Sequence, residues 1–139
     1  MPVELREVPT APPTVYTWLR QQPPSVILEW PIPRAASLGV TQAPLYMYYS
    51  TFHWQRLING YSGFYPPSYI RLIETVRRLP SRDATDYLKR RSVDYVIVHA
   101  AFEARFTDLV SAFRDSPDLE LLFIRPETEG EIAVFRLRR

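Results

Sequence analysis

The chain has 139 residues, with 17 Lys and Arg against 15 Asp and Glu, a net charge of only +2 and no cysteine. Its length and 46% apolar content suit one α/β domain spanning residues 1–139, able to bury roughly 68–70% of its unfolded surface. Disulfides, thiolate zinc sites and thiol nucleophiles are excluded, the small charge excess points to no nucleic-acid partner, and no run approaches the ~18 apolar residues of a membrane helix.

Taken in chain order, Val3 to Val8 alternates apolar and charged residues before Pro9, which suits a short edge strand. A helix is predicted from Pro12, with Val15, Trp18, Leu19 and Gln22 at helical spacing and Pro23-Pro24 as its stop. Ser25 to Trp30 is a nearly continuous apolar run ended by Pro31, the pattern of a central strand covered on both faces. Residues 31–45 read as a proline-rich loop, and Tyr46 to Trp54 fits neither helix nor strand decisively. After Pro66-Pro67 a helix is predicted to about Leu79, with Tyr69, Ile70, Ile73, Val76 and Leu79 on its buried stripe. A shorter helix restarts at Ser81-Arg82-Asp83, turning Ala84, Tyr87 and Leu88 inward. The arginine pairs Arg77/Arg78 and Arg90/Arg91 sit at the expected helix C-termini, where cations meet the negative end of the helix dipole.

Val93 to Val98 is a second strand, Phe102, Phe106, Leu109, Val110 and Phe113 form a helical stripe, and Leu119 to Ile124 is a third strand. A strand-helix-strand unit implies parallel strands with a right-handed crossover. Arg125 to Gly130 reads as a charged loop, from which Ile132 to Leu137 returns antiparallel. The fold class is therefore α/β, a layered sandwich with a mixed, mainly parallel sheet ending in an antiparallel C-terminal hairpin.

One segment departs from average composition. No acidic residue occurs from Trp30 through Ile73, and nine of the nineteen aromatics lie between Tyr46 and Tyr69. Ser50, Thr51, His53, Gln55, Arg56, Asn59 and Ser62 are interleaved with them, and Gly60 and Gly63 bracket Tyr61-Ser62. An aromatic-rich irregular segment at about 46–66 with uncharged polar rims suits stacking on sugar rings or seating a partially apolar partner. The same rings also suit packing of an irregular loop onto the sheet, with hydroxyls satisfying its backbone.

Catalytic signatures are lacking. His53 and His99 are not at metal-ligand spacing, and Gly60-Tyr61-Ser62-Gly63 is one residue short of the G-x-S-x-G nucleophile elbow. No phosphate loop, dinucleotide fingerprint or other cofactor motif occurs, so no cofactor and no metal are expected. Glu29 and His99 both end predicted strands, where open α/β sheets place ligands. If those strands are parallel neighbours, Glu29 and His99 lie side by side, paired with each other or with Arg56; a salt-bridged strand end is the plainer version of that arrangement.

Several blocks carry a family resemblance: Val15-Tyr16-Thr17-Trp18-Leu19, Val26 to Pro31, Tyr46 to Trp54, Asn59-Gly60-Tyr61-Ser62-Gly63-Phe64 with Pro66-Pro67, and Val93 to His99. Together they resemble the C-terminal soluble region of bacterial multi-spanning membrane proteins related to polyprenyl-phosphate-sugar-dependent glycosyltransferases. The resemblance implies an accessory domain on the extracytoplasmic face of the bacterial membrane, attached to a helix bundle that carries the chemistry. In such transferases the catalytic carboxylate lies in the membrane portion, which this sequence lacks, so no catalytic residue carries over. As written, the chain has neither a signal peptide nor a span, and is expected to be either the soluble end of a larger protein or a free-standing relative.

The leading expectation is a non-catalytic domain that binds or positions a glycan, a lipid-linked sugar or the membrane portion of its parent. Its candidate ligand-binding residues are Tyr49, His53, Trp54, Arg56, Asn59, Tyr61, Ser62, Glu29 and His99. A second reading is a small hydrolase or transferase using His53 or His99 with Ser62 or Glu29, which requires these side chains to converge in a cleft. A third is a structural interaction module with an exposed aromatic face.

Overall fold

A computed structural model of the chain describes residues 7, 9–34, 42–60 and 64–139. The expected edge strand at 3–8 lies outside the described residues apart from Glu7, as do Tyr61 and Ser62. Five strands form one mixed sheet: β1 (Val26–Trp30), β2 (Arg56–Leu57), β3 (Tyr95–His99), β4 (Leu119–Glu127) and β5 (Gly130–Leu137), in the order β2-β1-β3-β5-β4. β1 pairs in parallel with β2 and β3, while β5 runs antiparallel to both β3 and β4. Four strands therefore point one way, and β5 alone is reversed. β4 runs with β3 as the strand-helix-strand pattern requires, but β5 is inserted between them.

Strand alternation sends neighbouring residues to opposite faces, so Ile27 and Leu28 belong to different cores. On one face α1 (Thr14–Arg20) and α2 (Ala43–His53) lie over Ile27, Ile97, Ile132 and Val134. On the other, α3 (Pro67–Val76), α4 (Arg82–Arg90) and α5 (Phe106–Asp115) cover Leu28, Trp30, Val96, Val98, Ala133 and Phe135. Ser81 caps α4 by accepting a hydrogen bond from the Ala84 amide. Arg77 and Arg91 occupy the C-caps of α3 and α4, where the paired arginines were expected.

Two readings of local structure are corrected. Residues 43–53, expected as the end of a loop and the start of an irregular segment, form the regular helix α2. Its buried stripe of Ala43, Tyr46, Tyr49 and His53 has helical spacing, Pro44 sits in its first turn, and Trp54 ends it in the left-handed region at φ 59°. The Ser50 and Thr51 hydroxyls satisfy themselves by donating to the Met47 and Tyr48 carbonyls at 2.6 and 2.7 Å. Second, most of the charged loop expected at 125–130 is strand. β4 continues to Glu127, which pairs with Gly130 across a two-residue turn, and Gly130 takes a positive φ of 134° that a side chain would oppose. Charged residues are natural there because β4 is an edge strand.

β2 has only two residues, and side-chain amides extend its ladder at both ends. Gln55 Oε1 accepts from the Ser25 amide at 2.7 Å, while its Nε2 donates to the Leu19 and Gln22 carbonyls at the end of α1. Beyond the other end, Asn59 behaves like a strand residue: Oδ1 accepts from the Glu29 amide at 2.9 Å and Nδ2 donates to the Glu29 carbonyl at 2.8 Å. That double bond satisfies the backbone of Glu29.

Candidate functional site

The register of β1 on β3 sets Glu29 opposite Ile97, so His99, two residues further along, projects from the same face. The two side chains meet there. His99 Nε2 lies 2.5 Å from Glu29 Oε2, with Glu29 fully buried and His99 only 3% exposed. Tyr16, reaching down from α1, donates its hydroxyl to Glu29 Oε1 at 2.8 Å and lies 3.2 Å from His99 Nε2. With both carboxylate oxygens accepting, the ring nitrogen that faces Glu29 is the donor of the pair.

Aromatic rings from α2 close over this trio. Tyr46 stacks on His99 with centroids 5.2 Å apart and donates its hydroxyl to the Pro31 carbonyl, while Tyr49 and His53 lie 4.9 and 5.3 Å from the Tyr16 ring. Burial, reinforced by the nearby Glu29 charge, holds the Tyr16 and Tyr46 hydroxyls well above the usual tyrosine range, so both stay protonated donors. Burial lowers the His53 pKa, with Glu29 acting weakly in the opposite direction. His53 Nδ1 accepts the Gln55 amide at 2.9 Å, which leaves the proton of the neutral ring on Nε2. That nitrogen has no hydrogen-bond partner among the described residues.

A cleft of about 370 Å³ opens beside the trio, with Tyr49 and His99 contributing to its lining. One wall is the segment 9–14 before and into α1, and the other is the turn of the β4–β5 hairpin. Glu127 ties the walls together, accepting from Thr14 Oγ1 at 2.6 Å and from the Val15 amide at 3.2 Å. The lining combines rings, the hydroxyls of Thr10, Thr14 and Thr128, and the carboxylates of Glu127, Glu129 and Glu131, without Lys or Arg among the described residues.

The predicted residues thus separate into groups. Glu29, His99, Tyr49 and His53 come together, and Asn59 is buried behind them, holding the Glu29 backbone. Arg56 does not pair with Glu29; it lies exposed opposite Val26, towards the other end of β1. Trp54 is 77% exposed at the end of α2, away from the trio. Tyr16 and Tyr46 are the site residues that sequence reasoning missed. The available signal was a tyrosine on a buried helical stripe, whose hydroxyl needs a partner that the apolar positions around it cannot supply.

Among the described residues, no group of three or more His, Cys, Asp and Glu side chains could hold a metal ion, and no helix is long and apolar enough to cross a membrane. No protein-family model matches the chain, and no curated protein sequence matches it. Among solved structures, the crystal structure of the C-terminal globular domain of an oligosaccharyltransferase from Archaeoglobus fulgidus is similar at a TM-score of 0.48 and 9% identity. The match covers 90% of this chain and 95% of that domain. At this level the likeness carries no argument about function.

Proposed function

We propose that the chain is a non-catalytic accessory domain of a membrane glycosyltransferase-like protein, working on the extracytoplasmic face, and that its cleft holds a sugar unit of a glycan or lipid-linked saccharide. The carrying observation is the cleft itself: rings, hydroxyls and carboxylates without Lys or Arg among the described residues, about 370 Å³ in size, bordering a buried Tyr16–Glu29–His99 trio. Hydroxyls and carboxylates accept from sugar hydroxyls, and aromatic rings offer an apolar face to the ring carbons. Glu29 is fully buried and out of reach of a ligand, so its role is to hold His99 in one orientation, as Asn59 holds Glu29. The resemblance of the tyrosine-rich and Asn59-to-Phe64 blocks to the transferase-associated domains supports the same reading.

Saturation-transfer NMR with a panel of neutral, amino and acidic monosaccharides tests it. Neutral or amino sugars are expected to receive saturation from the protein and acidic ones to receive none, with the signal lost in Tyr49→Ala. Silence across the panel would remove the ligand.

A second role, docking on the membrane portion of the parent, is favoured by the outer side of α2. This helix has no Asp, Glu, Lys or Arg, and its exposed stripe runs Pro44, Met47, Thr51 and Trp54. Phe64, 72% exposed, follows in the same aromatic-rich segment. A surface helix normally turns charge outward, so an apolar outer stripe marks a face that meets another apolar surface. The catalytic alternative retains the Glu29–His99 pair, while its serine, Ser62, lies outside the described residues.

A further inference from the structure

At the other end of the parallel strands, a depression of about 460 Å³ is lined by Val26, Arg56, Leu57, Ile58, Arg90 and Arg91. Three guanidinium groups thus border one apolar-floored hollow with no carboxylate in its lining among the described residues. Asp94 accepts from the Val26 amide and pairs with Arg139, and Asp118 pairs with Lys89. Arg90 also borders a second depression that contains Asp83 and Asp86, of which Asp86 pairs with Arg82. Arg91 is steadied over the Tyr87 ring at 4.8 Å.

Helix termination alone does not account for the group. The Arg91, Ser92 and Val93 amides already serve the Tyr87, Leu88 and Lys89 carbonyls at the end of α4, and Arg56 belongs to β2 on a different part of the chain. The backbone adds a fourth donor. Arg56 and Ile58 direct their amides to the Ser25 carbonyl just before β1 and the Ile27 carbonyl within it, so strand alternation turns the Leu57 amide towards the edge that β2 forms among the described residues. Three arginines and an outward amide supply donors to whatever enters, beside the Leu57 carbonyl that faces the same way.

We propose that this hollow binds a phosphoryl group, as a phosphate or diphosphate ester. Arginine forks match tetrahedral phosphoryl oxygens through paired, charge-assisted hydrogen bonds, and an anion relieves the repulsion among the three cations. The hollow's open mouth leaves room for the esterified remainder, whether the ester is soluble or a lipid headgroup at a membrane surface. This site is independent of the sugar-binding cleft, and the two proposals stand or fall separately.

Inorganic pyrophosphate is titrated into the full chain while the arginine Nε–H and backbone amide signals are followed by NMR, and the chain is sedimented with phosphatidylcholine vesicles with and without phosphatidylglycerol. Saturable shifts at Arg56, Arg90, Arg91 and the Leu57 amide, weakened at least about tenfold in Arg56→Gln/Arg90→Gln, are the expected result for a soluble ester. No response to pyrophosphate, together with sedimentation on phosphatidylglycerol vesicles that the same double variant abolishes, assigns the site to a lipid headgroup. Binding unchanged in the double variant, shifts equally large at Arg114 and Arg138, or no binding of either probe overturns the proposal. All three arginines are exposed, so the variants should fold normally.

Discussion

Replacing Glu29 by alanine tests whether the Tyr16–Glu29–His99 trio is a dry, mutually dependent unit. The carboxylate accepts from two buried donors, Tyr16 Oη at 2.8 Å and His99 Nε2 at 2.5 Å, and its removal leaves both short of their acceptor beside a new cavity. Losing one partner of such a buried pair costs about 3–5 kcal/mol. With a urea dependence of ~2 kcal/mol per molar for a chain of this size, the unfolding midpoint should fall by roughly 1.5–2.5 M. The informative companion is the triple variant Tyr16→Phe/Glu29→Leu/His99→Leu, which replaces the whole polar unit by apolar groups. Such replacements are often neutral or stabilising, so its midpoint should lie within about 1.5 kcal/mol of the wild type or above it. It should nevertheless lose sugar binding. Urea titrations followed by far-ultraviolet circular dichroism read both variants. A loss under about 1 kcal/mol for Glu29→Ala would mean that water takes over the carboxylate's bonds. A loss above about 3 kcal/mol for the triple variant would mean that the polar unit serves the fold, and the argument for a ligand would weaken accordingly.

Asn59→Ala removes the two bonds that satisfy the Glu29 backbone, and should cost about 2–4 kcal/mol in the same titration; Asn59→Asp, which cannot donate to the Glu29 carbonyl, should not rescue it. His53 titrates below its ordinary 6.5 because it is buried, so the unfolded chain binds the proton more readily. Its contribution to stability is full above about pH 6.5 and declines as the pH falls below that value, with a slope of at most ~1.4 kcal/mol per pH unit that His53→Gln should remove from a pH series of unfolding midpoints. Asp118 is held below its ordinary 3.8 by its bonds to Lys89 and then Thr85, so its contribution is present above that pH and lost on further acidification, a dependence absent in Asp118→Asn. Trp54→Gly should leave the thermal midpoint unchanged or slightly raised, because Trp54 is exposed and sits in a left-handed conformation that glycine tolerates. In a membrane-protein parent, that substitution should weaken attachment of the domain to its helical portion, measured by limited proteolysis at the junction.

Much of the scaffold was legible because particular residues punctuate it. Val26 to Trp30 is an apolar run stopped by Pro31, Phe106, Val110 and Phe113 share one helical face, and Ser81 marks the start of α4. The pairing of Glu29 with His99 followed from two strand ends together with the assumption that the strands are neighbours, which the sheet order bears out. α2 was not legible, because its outer face carries Pro44, Met47 and Trp54 where a surface helix usually carries charge, while its inner face carries tyrosines and a histidine, so the polar contrast that reveals a helix is missing. β2 was not legible because two residues carry no periodicity, and its ladder is completed by the side chains of Gln55 and Asn59. Tyr16 and Tyr46 reach the site through the packing of two helices over the sheet, a relation that spacing along the chain does not specify.

The central claim is that the cleft beside the trio receives a sugar. Its most direct measurement is a residue-resolved NMR titration of the full chain with the monosaccharide that gives the largest saturation transfer, following backbone amides and the His99 and Tyr49 ring signals. Saturable shifts are expected at Thr10, Tyr49, His99 and Gly130 that disappear in His99→Leu, while Arg56 and Arg91 stay unmoved. Shifts confined to Trp54 and Phe64, or none anywhere in the chain, would contradict it.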